Sequence, residues 1–301
     1  MNIFLMPTHL SSTALKPHGR DDAHQSVMIA EVLKLLEPKK GEVVVDATYG
    51  QGGHSRMIAA AAKVKLVAID ADPAAGVSVA NFADLSEVLK KLNIKKINKA
   101  LFDLGWNRGQ LQSGRGFSFQ NDEPLNMSYA PTPRSGFTAA DILNTWSEKA
   151  IADVLYGYGE ERYSRPIARA IVARRKLQPI KTTIELVEII RDAVPPAYRH
   201  GRLHPATKTF QALRVAVNDE LRSLEQGLST AWKHLACDGR IAIISFHSIE
   251  DRIVKRFFAT LAKKDGKLLV KKPAVAARDE IARNPSARSA KLRAIEKICT
   301  T

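Results

Sequence analysis

Three acids and one glycine turn are the residues whose types and spacing point to chemistry. The run Val43-Val44-Val45-Asp46-Ala47-Thr48-Tyr49-Gly50-Gln51-Gly52-Gly53-His54-Ser55 begins as a β-branched strand and ends in a cluster of glycines. A turn of this kind lets the backbone take positive φ and come close to a ligand that a Cβ would hold off. That is the pattern of a cradle for a nucleotide-type cofactor. Ser55 stands where the third glycine of G-x-G-x-x-G belongs, so a dinucleotide fingerprint is only half met. The next apolar run, Val64 to Asp70, closes on a carboxylate at about the 20-residue spacing at which an acid accepts the two hydroxyls of a ribose. A third run, Ala100-Leu101-Phe102-Asp103, also ends in an acid. Singly, each acid is most simply a helix cap or turn residue. Three at the ends of successive parallel strands would share one rim, and that is where open sheets bind ligands.

Such a rim needs a parallel sheet with crossover helices. Apolar residues at helical spacing (Val27, Ile29, Val32, Leu33, Leu36) predict a helix before the glycine strand, and a second helix from about Ser55 to Ala62 follows the turn. Between Pro73 and Phe82 there is room for a short strand through Val77-Ser78-Val79 but for no crossover helix. The link must be irregular or the strand must lie at an edge. From Trp106 to about Pro133 the composition is that of a long loop, which inside a compact protein is functional or disordered. Helical signals follow: Thr138 caps a helix over Ala139 to Leu143, Ser164 and Pro166 open one that ends at Arg174-Arg175, and Thr182 with Glu185 forms a capping box. One long helix is expected from Ala206 to about Leu235. A buried strand over Arg240 to Phe246, a helix over Glu250 to Leu261 and a strand over Lys267 to Lys272 complete the pattern. Alternating β and α on both sides of an all-helical stretch implies an α/β domain with a helical insert.

The chain has 301 residues and a formal charge of +15, from 46 Lys and Arg against 31 Asp and Glu, which favours a polyanionic partner. Arg162, Arg165 and Arg169 fall at i, i+3 and i+7 and are expected on one helical face as a phosphate rail. A second basic cluster runs from Arg252 to Lys297, and the aromatics Phe117, Phe119, Tyr129, Tyr156, Tyr158 and Tyr163 offer rings to an unstacked base. No apolar run approaches the roughly 20 residues of a membrane span. The cysteines Cys237 and Cys299 form neither a CxxC pair nor a His-Cys cluster, so neither a disulfide framework nor a zinc site is expected, and a cytoplasmic protein without a metal fits.

The order of several blocks is more specific than any one motif. They are His24-Gln25-Ser26-Val27-Met28, Asp46 to Arg56, Ala68-Ile69-Asp70-Ala71-Asp72-Pro73, Phe102-Asp103-Leu104-Gly105, Arg115-Gly116-Phe117-Ser118-Phe119 and Tyr158 to Ser164. His204 to Arg214, Ser245 to Arg252 and Asn284 to Arg293 follow. With these blocks, covering residues 24 to about 296, the chain resembles the RsmH (MraW) family of S-adenosylmethionine-dependent 16S ribosomal RNA methyltransferases. The resemblance implies a Rossmann-like class I methyltransferase domain over residues 24–108 and 205–301 and a helical insert over 109–204 that recognises RNA; residues 1–23, poor in periodicity, read as a disordered leader. It implies N4-methylation of a cytidine in the decoding centre of the small subunit. The cofactor, S-adenosylmethionine, would be held by Gly52, Gly53, His54, Asp70, Phe82, Asp103 and Gln110, with Asp103 also catalytic. A homodimer is compatible with the sequence and not specified by it.

Three departures stand against that pattern. Trp106-Asn107-Arg108-Gly109 replaces a Ser-Ser-Pro segment, Glu123 to Ala130 loses two carboxylates of the family's Gly-Pro-Leu-Asp-Met-Arg-Met-Asp, and the Pro73 to Phe82 segment is short. They define a second expectation, a weakened or inactive homologue that remains a small-subunit RNA-binding factor. A small-molecule methyltransferase is a third, disfavoured by the charge.

Overall fold

A computed structural model of the chain describes residues 26–299. The expected leader, residues 1–23, and the His24-Gln25 pair of the first block lie outside the described residues. Two compact units are present, one comprising Met1–Gly105 and Leu221–Thr301, the other Trp106–Glu220.

The first unit opens with α1 (Ile29–Leu36), β1 (Val43–Asp46), α2 (Gly53–Ala61), β2 (Lys65–Asp70), β3 (Ser78–Val79), α3 (Leu85–Lys91) and β4 (Ile97–Asp103). The chain then passes through the second unit as α4 (Arg108–Leu111), α5 (Ala139–Thr145), α6 (Glu148–Gly159), α7 (Ser164–Arg175), α8 (Thr183–Ala193), α9 (Pro196–Arg199) and α10 (Thr207–Asn218). It returns as α11 (Glu220–His234), β5 (Leu235–Ser245), α12 (Ser248–Leu261), β6 (Gly266–Leu268), β7 (Ala274–Val275), α13 (Arg278–Arg283) and β8 (Lys291–Lys297).

The sheet order is β3-β2-β1-β4-β5-β8-β6, with β7 paired to β8. Strands β3, β2, β1, β4 and β5 are parallel, and β8 runs antiparallel to its neighbours. This is the expected Rossmann-like α/β sheet. Successive side chains of a strand point to opposite faces, and both faces are buried, which is why the strands read as unbroken apolar runs. Val45, Val67, Ile69, Phe102 and Ile243 pack on one side with Leu89, Leu228 and Phe258. Val44, Leu66, Leu101 and Ile244 pack on the other with Leu36 and Ile58. The thin link before β3 is resolved in both anticipated ways, since a 3-10 turn over Pro73–Ala75 replaces a crossover helix and β3 is the edge strand.

In the helical unit, the stretch read as a long loop contributes to the core instead of standing apart. Phe117, Leu125 and Met127 are buried with Ile142, Leu155, Ile171, Ile190 and Leu213. Arg115 donates to the carbonyls of Ser128 (3.2 Å) and Tyr129 (2.7 Å), and the buried Glu123 carboxylate accepts from the Gly116 amide at 2.7 Å. The substituted segment from Glu123 to Ala130 is therefore a packed structural element of this unit.

Two other expectations are corrected. The single helix from Ala206 to Leu235 is two helices, because Asp219 takes a left-handed conformation (φ 49°) and the Asn218 side chain donates to the carbonyls of Met127 and Arg214. Arg214 and Glu220 form a paired bond of 2.8 and 2.9 Å across the break. The helical unit consequently extends to Glu220, beyond residue 204, with α10 packed on α6. Cys237 and Cys299, expected to stay apart, form a disulfide with Cα atoms 5.5 Å apart. The antiparallel register of β5 on β8, with Arg240 opposite Glu296, brings the two positions face to face although 62 residues separate them. Sequence spacing carries no trace of that register. Among the described residues no helix is long and apolar enough to cross a membrane.

Candidate active site

In an open parallel sheet the ligand crevice lies beyond the carboxyl ends of the strands where the strand order reverses, here between β1 and β4. Asp46, Asp70 and Asp103 are the last residues of β1, β2 and β4. The turn after β1 ties the three ends together. Its Gly50 amide donates to Asp70 Oδ2 at 2.7 Å, and Thr48 Oγ1 accepts from the Asp103 amide at 2.6 Å. Its Ser55 hydroxyl donates to Asp46 Oδ2 at 2.6 Å. His54, in the first turn of α2, places Nε2 at 3.4 Å from Asp103 Oδ2. The glycine turn and two of the three acids thus form one constellation, and Asp46, 1% exposed, lies beneath it.

The glycines are required where they stand. Gly52 has φ +75°, and a Cβ there would sit 2.5 Å from the Tyr49 ring; a Cβ on Gly53 would overlap Ser26 Oγ. Gly52 serves as N-cap without a side-chain hydrogen bond, and the first turn of α2 holds no acid. The amides that open this helix have no acceptor within the helix, at the end where the helix dipole favours negative charge.

Burial raises the Asp46 carboxyl above the usual range, opposed by the Ser55 hydroxyl. Burial alone would lower His54, but the adjoining Asp103 carboxylate, with Asp46 and Glu280 contributing, outweighs it and holds the imidazole above its ordinary pKa. Asp70 is pushed up to about 6 by burial, against the stabilising amides of Asp72 and Gly50. Both ring nitrogens of His54 and Asp103 Oδ1 are buried without a hydrogen-bond partner. Buried polar atoms are normally satisfied, so these three are candidates for contact with a ligand.

Phe82 follows the edge strand, half-buried, with its ring edge-on to Phe102 at 5.8 Å and close against Gly227 of α11. Gln110 belongs to the helical unit, where its side chain closes a capping box with Asn107 (2.9 and 3.1 Å). Sequence reading assigned no role to Thr48, Ser55 or Glu280. The first two lie inside the quoted turn, and their hydroxyls between glycines and acids were the signal. Glu280 comes from α13, more than 200 residues away along the chain, and accepts from the Met28 amide at 2.6 Å. No local pattern announces it.

A model of the MraW methylase family matches residues 21–298. The chain is similar to proteins named Ribosomal RNA small subunit methyltransferase H. The one from Geotalea uraniireducens is 45% identical over 312 residues, covering 92% of this chain and 99% of the relative. That from Syntrophotalea carbinolica is 44% identical, covering 91% and 98%. That from a Sulfurihydrogenibium species is also 44% identical, covering 91% and 99%.

Proposed function

The chain belongs to the MraW methylase family and is an S-adenosylmethionine-dependent ribosomal RNA methyltransferase; from that premise we propose that it methylates the exocyclic N4 of a cytidine in the decoding centre of 16S RNA, within the small ribosomal subunit. The observation that supports the assignment of roles is the constellation of Gly52, His54, Asp70 and Asp103 around one turn, with buried polar atoms of His54 and Asp103 left unsatisfied.

The residues fit the cofactor. Asp70 would accept the two ribose hydroxyls, the amides opening α2 would receive the methionine carboxylate, and Phe82 would pack beside the adenine, with Asp103 toward the methionine end. When bound, S-adenosylmethionine supplies an already activated methyl group on a sulfonium, so no covalent nucleophile is needed from the protein. The acceptor is the difficult partner, because the lone pair of the cytosine amine is delocalised into the ring. This chain must hold the amine in line with the methyl group and accept hydrogen bonds from its protons, which weakens the delocalisation. Asp103 Oδ1 is the acceptor we assign to that work, with carbonyls of the following loop beside it. His54, with Nε2 3.4 Å from Asp103 Oδ2, helps to orient that carboxylate. The target base must leave its stack, at a cost of a few kcal/mol that contacts with the helical unit offset.

Mass spectrometry of 16S RNA from cells with and without the gene is the direct test. Loss of one N4-methylcytidine in the deleted strain is the expected result. Tight subunit binding with an unchanged modification profile would turn the reading to a non-catalytic RNA-binding factor.

The titration of Asp70 gives a separate expectation. Its raised pKa means that it takes up a proton as pH falls through about 6, and a protonated carboxyl cannot accept from both ribose hydroxyls. Cofactor affinity should be level above pH 7 and fall by roughly tenfold at pH 5, one unit below that value. Calorimetry from pH 5 to 8 would measure it, and Asp70→Asn should bind weakly at every pH. A dissociation constant that stays flat across the range removes Asp70 from the ribose.

A further inference from the structure

The helical unit carries a set of rings and cations that its own packing leaves facing solvent. The His204 imidazole lies parallel on Phe119, centroids 4.5 Å apart and planes at 6°. Phe119 is in turn held edge-on by the buried Phe210 at 5.5 Å and 81°. His204 itself is exposed, and its Nδ1 accepts from the Ala206 amide at 3.3 Å. One face of the imidazole is therefore committed to a backed aromatic stack while the residue stays open to water. Burial and the nearby Arg191 both hold its pKa below the ordinary value, so the ring is neutral at pH 7 and offers a flat surface instead of a charge.

The same segment carries cations. From Ala193 to Asn218 there is no acid, whereas Arg199, Arg202, Lys208 and Arg214 all fall there. Arg214 is taken up by Glu220, and Lys208 donates to the Glu160 carbonyl, but Arg202 is exposed. Tyr198, at the start of the segment, donates to the fully buried Glu161 at 2.7 Å and meets Tyr163 edge to face at 4.8 Å. The Arg162 guanidinium lies over both rings, 4.7 and 5.0 Å from their centroids. This corrects the expected rail, since Arg162 precedes α7 and does not share a helical face with Arg165 and Arg169. Buried Glu161 instead fixes the tyrosines on which Arg162 rests.

We propose that this surface binds a single-stranded stretch of the RNA substrate, with one unpaired base stacking on the open face of His204 and phosphates meeting Arg191, Arg199, Arg202 and Arg162. The inference rests on the reading of the substrate as RNA. Single-stranded RNA combines flat π faces with regularly spaced negative charge, and recognition by stacking on aromatic side chains between cations is its usual mode. An acidic peptide would satisfy the arginines and leave the stack unused.

The test uses the full chain and a labelled single-stranded oligopyrimidine RNA of about a dozen nucleotides, alone and annealed to its complement, read by fluorescence anisotropy. His204→Ala should weaken single-strand binding about tenfold, and His204→Phe, which keeps a ring, should stay within about twofold of the parent. Arg202→Ala should lower the slope of log affinity against log salt by about 0.7, the share of one phosphate on a single strand. Unchanged cofactor binding in each variant shows that the first unit has folded, and the exposed Arg202 serves if the His204 variants do not. Equal binding by His204→Ala and the parent, or an equal loss on the duplex, overturns the stacking inference while leaving RNA as substrate. A parent protein with no affinity for either RNA overturns the substrate reading as well.

Discussion

Replacing Asp103 by alanine is expected to lower the rate of methyl transfer to small subunits by about 10³-fold, the scale on which preorganised polar groups contribute to a transition state. The backbone of this residue is pinned, because its amide donates to Thr48 Oγ1, so the substitution removes the carboxylate without releasing the strand end. Two functions go with it. Oδ1, buried and without a hydrogen-bond partner, is lost as the proposed acceptor for the target amine. Oδ2, 3.4 Å from His54, is lost as the counter-charge that overcomes the burial of that imidazole. With its largest opposing partner gone, the His54 pKa should drop, and its ring signals in NMR titration would report this independently of turnover. Cofactor affinity should weaken by about tenfold, because one acceptor near its methionine end is gone. Incorporation of labelled methyl groups into small subunits measures the main effect. An Asp103→Ala enzyme within tenfold of the parent rate would remove this carboxylate from the reaction.

Gly52→Val should abolish measurable cofactor binding, a loss of about a hundredfold or more, while leaving the sheet intact. The position has φ +75°, in the left-handed region, which a residue with a Cβ occupies at a cost of about 1–2 kcal/mol. The added Cβ would also stand 2.5 Å from the Tyr49 ring, so ring or turn must give way. Tyr49 is bonded through its amide to the carbonyl of Ile69, and the next amide, Gly50, is the donor to Asp70. Any movement of the turn therefore shifts Asp70, the acid proposed for the ribose, and a misplacement of about 1 Å at such a site is worth about a hundredfold. Calorimetry gives the affinity, and circular dichroism the intact sheet. Undiminished binding by a folded Gly52→Val protein would mean that the turn does not cradle the cofactor.

Much of the site was legible locally because its parts are short-range. The glycines at 50, 52 and 53 are dictated by the backbone of one turn, and Asp46, Asp70 and Asp103 each end an apolar run that can only be a buried strand. The cap at Thr138 and the capping box of Thr182 with Glu185 were equally readable, since a cap acts within three residues of itself. The break between α10 and α11 was signalled by Asn218-Asp219, residues that tolerate the left-handed conformation, yet the continuous apolar spacing masked it. The basic triplet at Arg162, Arg165 and Arg169 misled for a related reason. Spacing describes a helical face only where the helix exists, and α7 starts at Ser164.

The amino-acid sequence by itself determined the buried apolar strands, the glycine turn and the identity of the acids, because each depends on neighbours within a few residues. Only the tertiary structure decided which of these meet. The parallel register of β1 with β2 and β4 sets Asp70 and Asp103 on either side of one turn, β8 returns across the sheet to pair Cys237 with Cys299, and α13 carries Glu280 to the Met28 amide. Those contacts join residues tens to hundreds of positions apart, and they are selected by the packing of both sheet faces, a collective property that no short window of sequence contains.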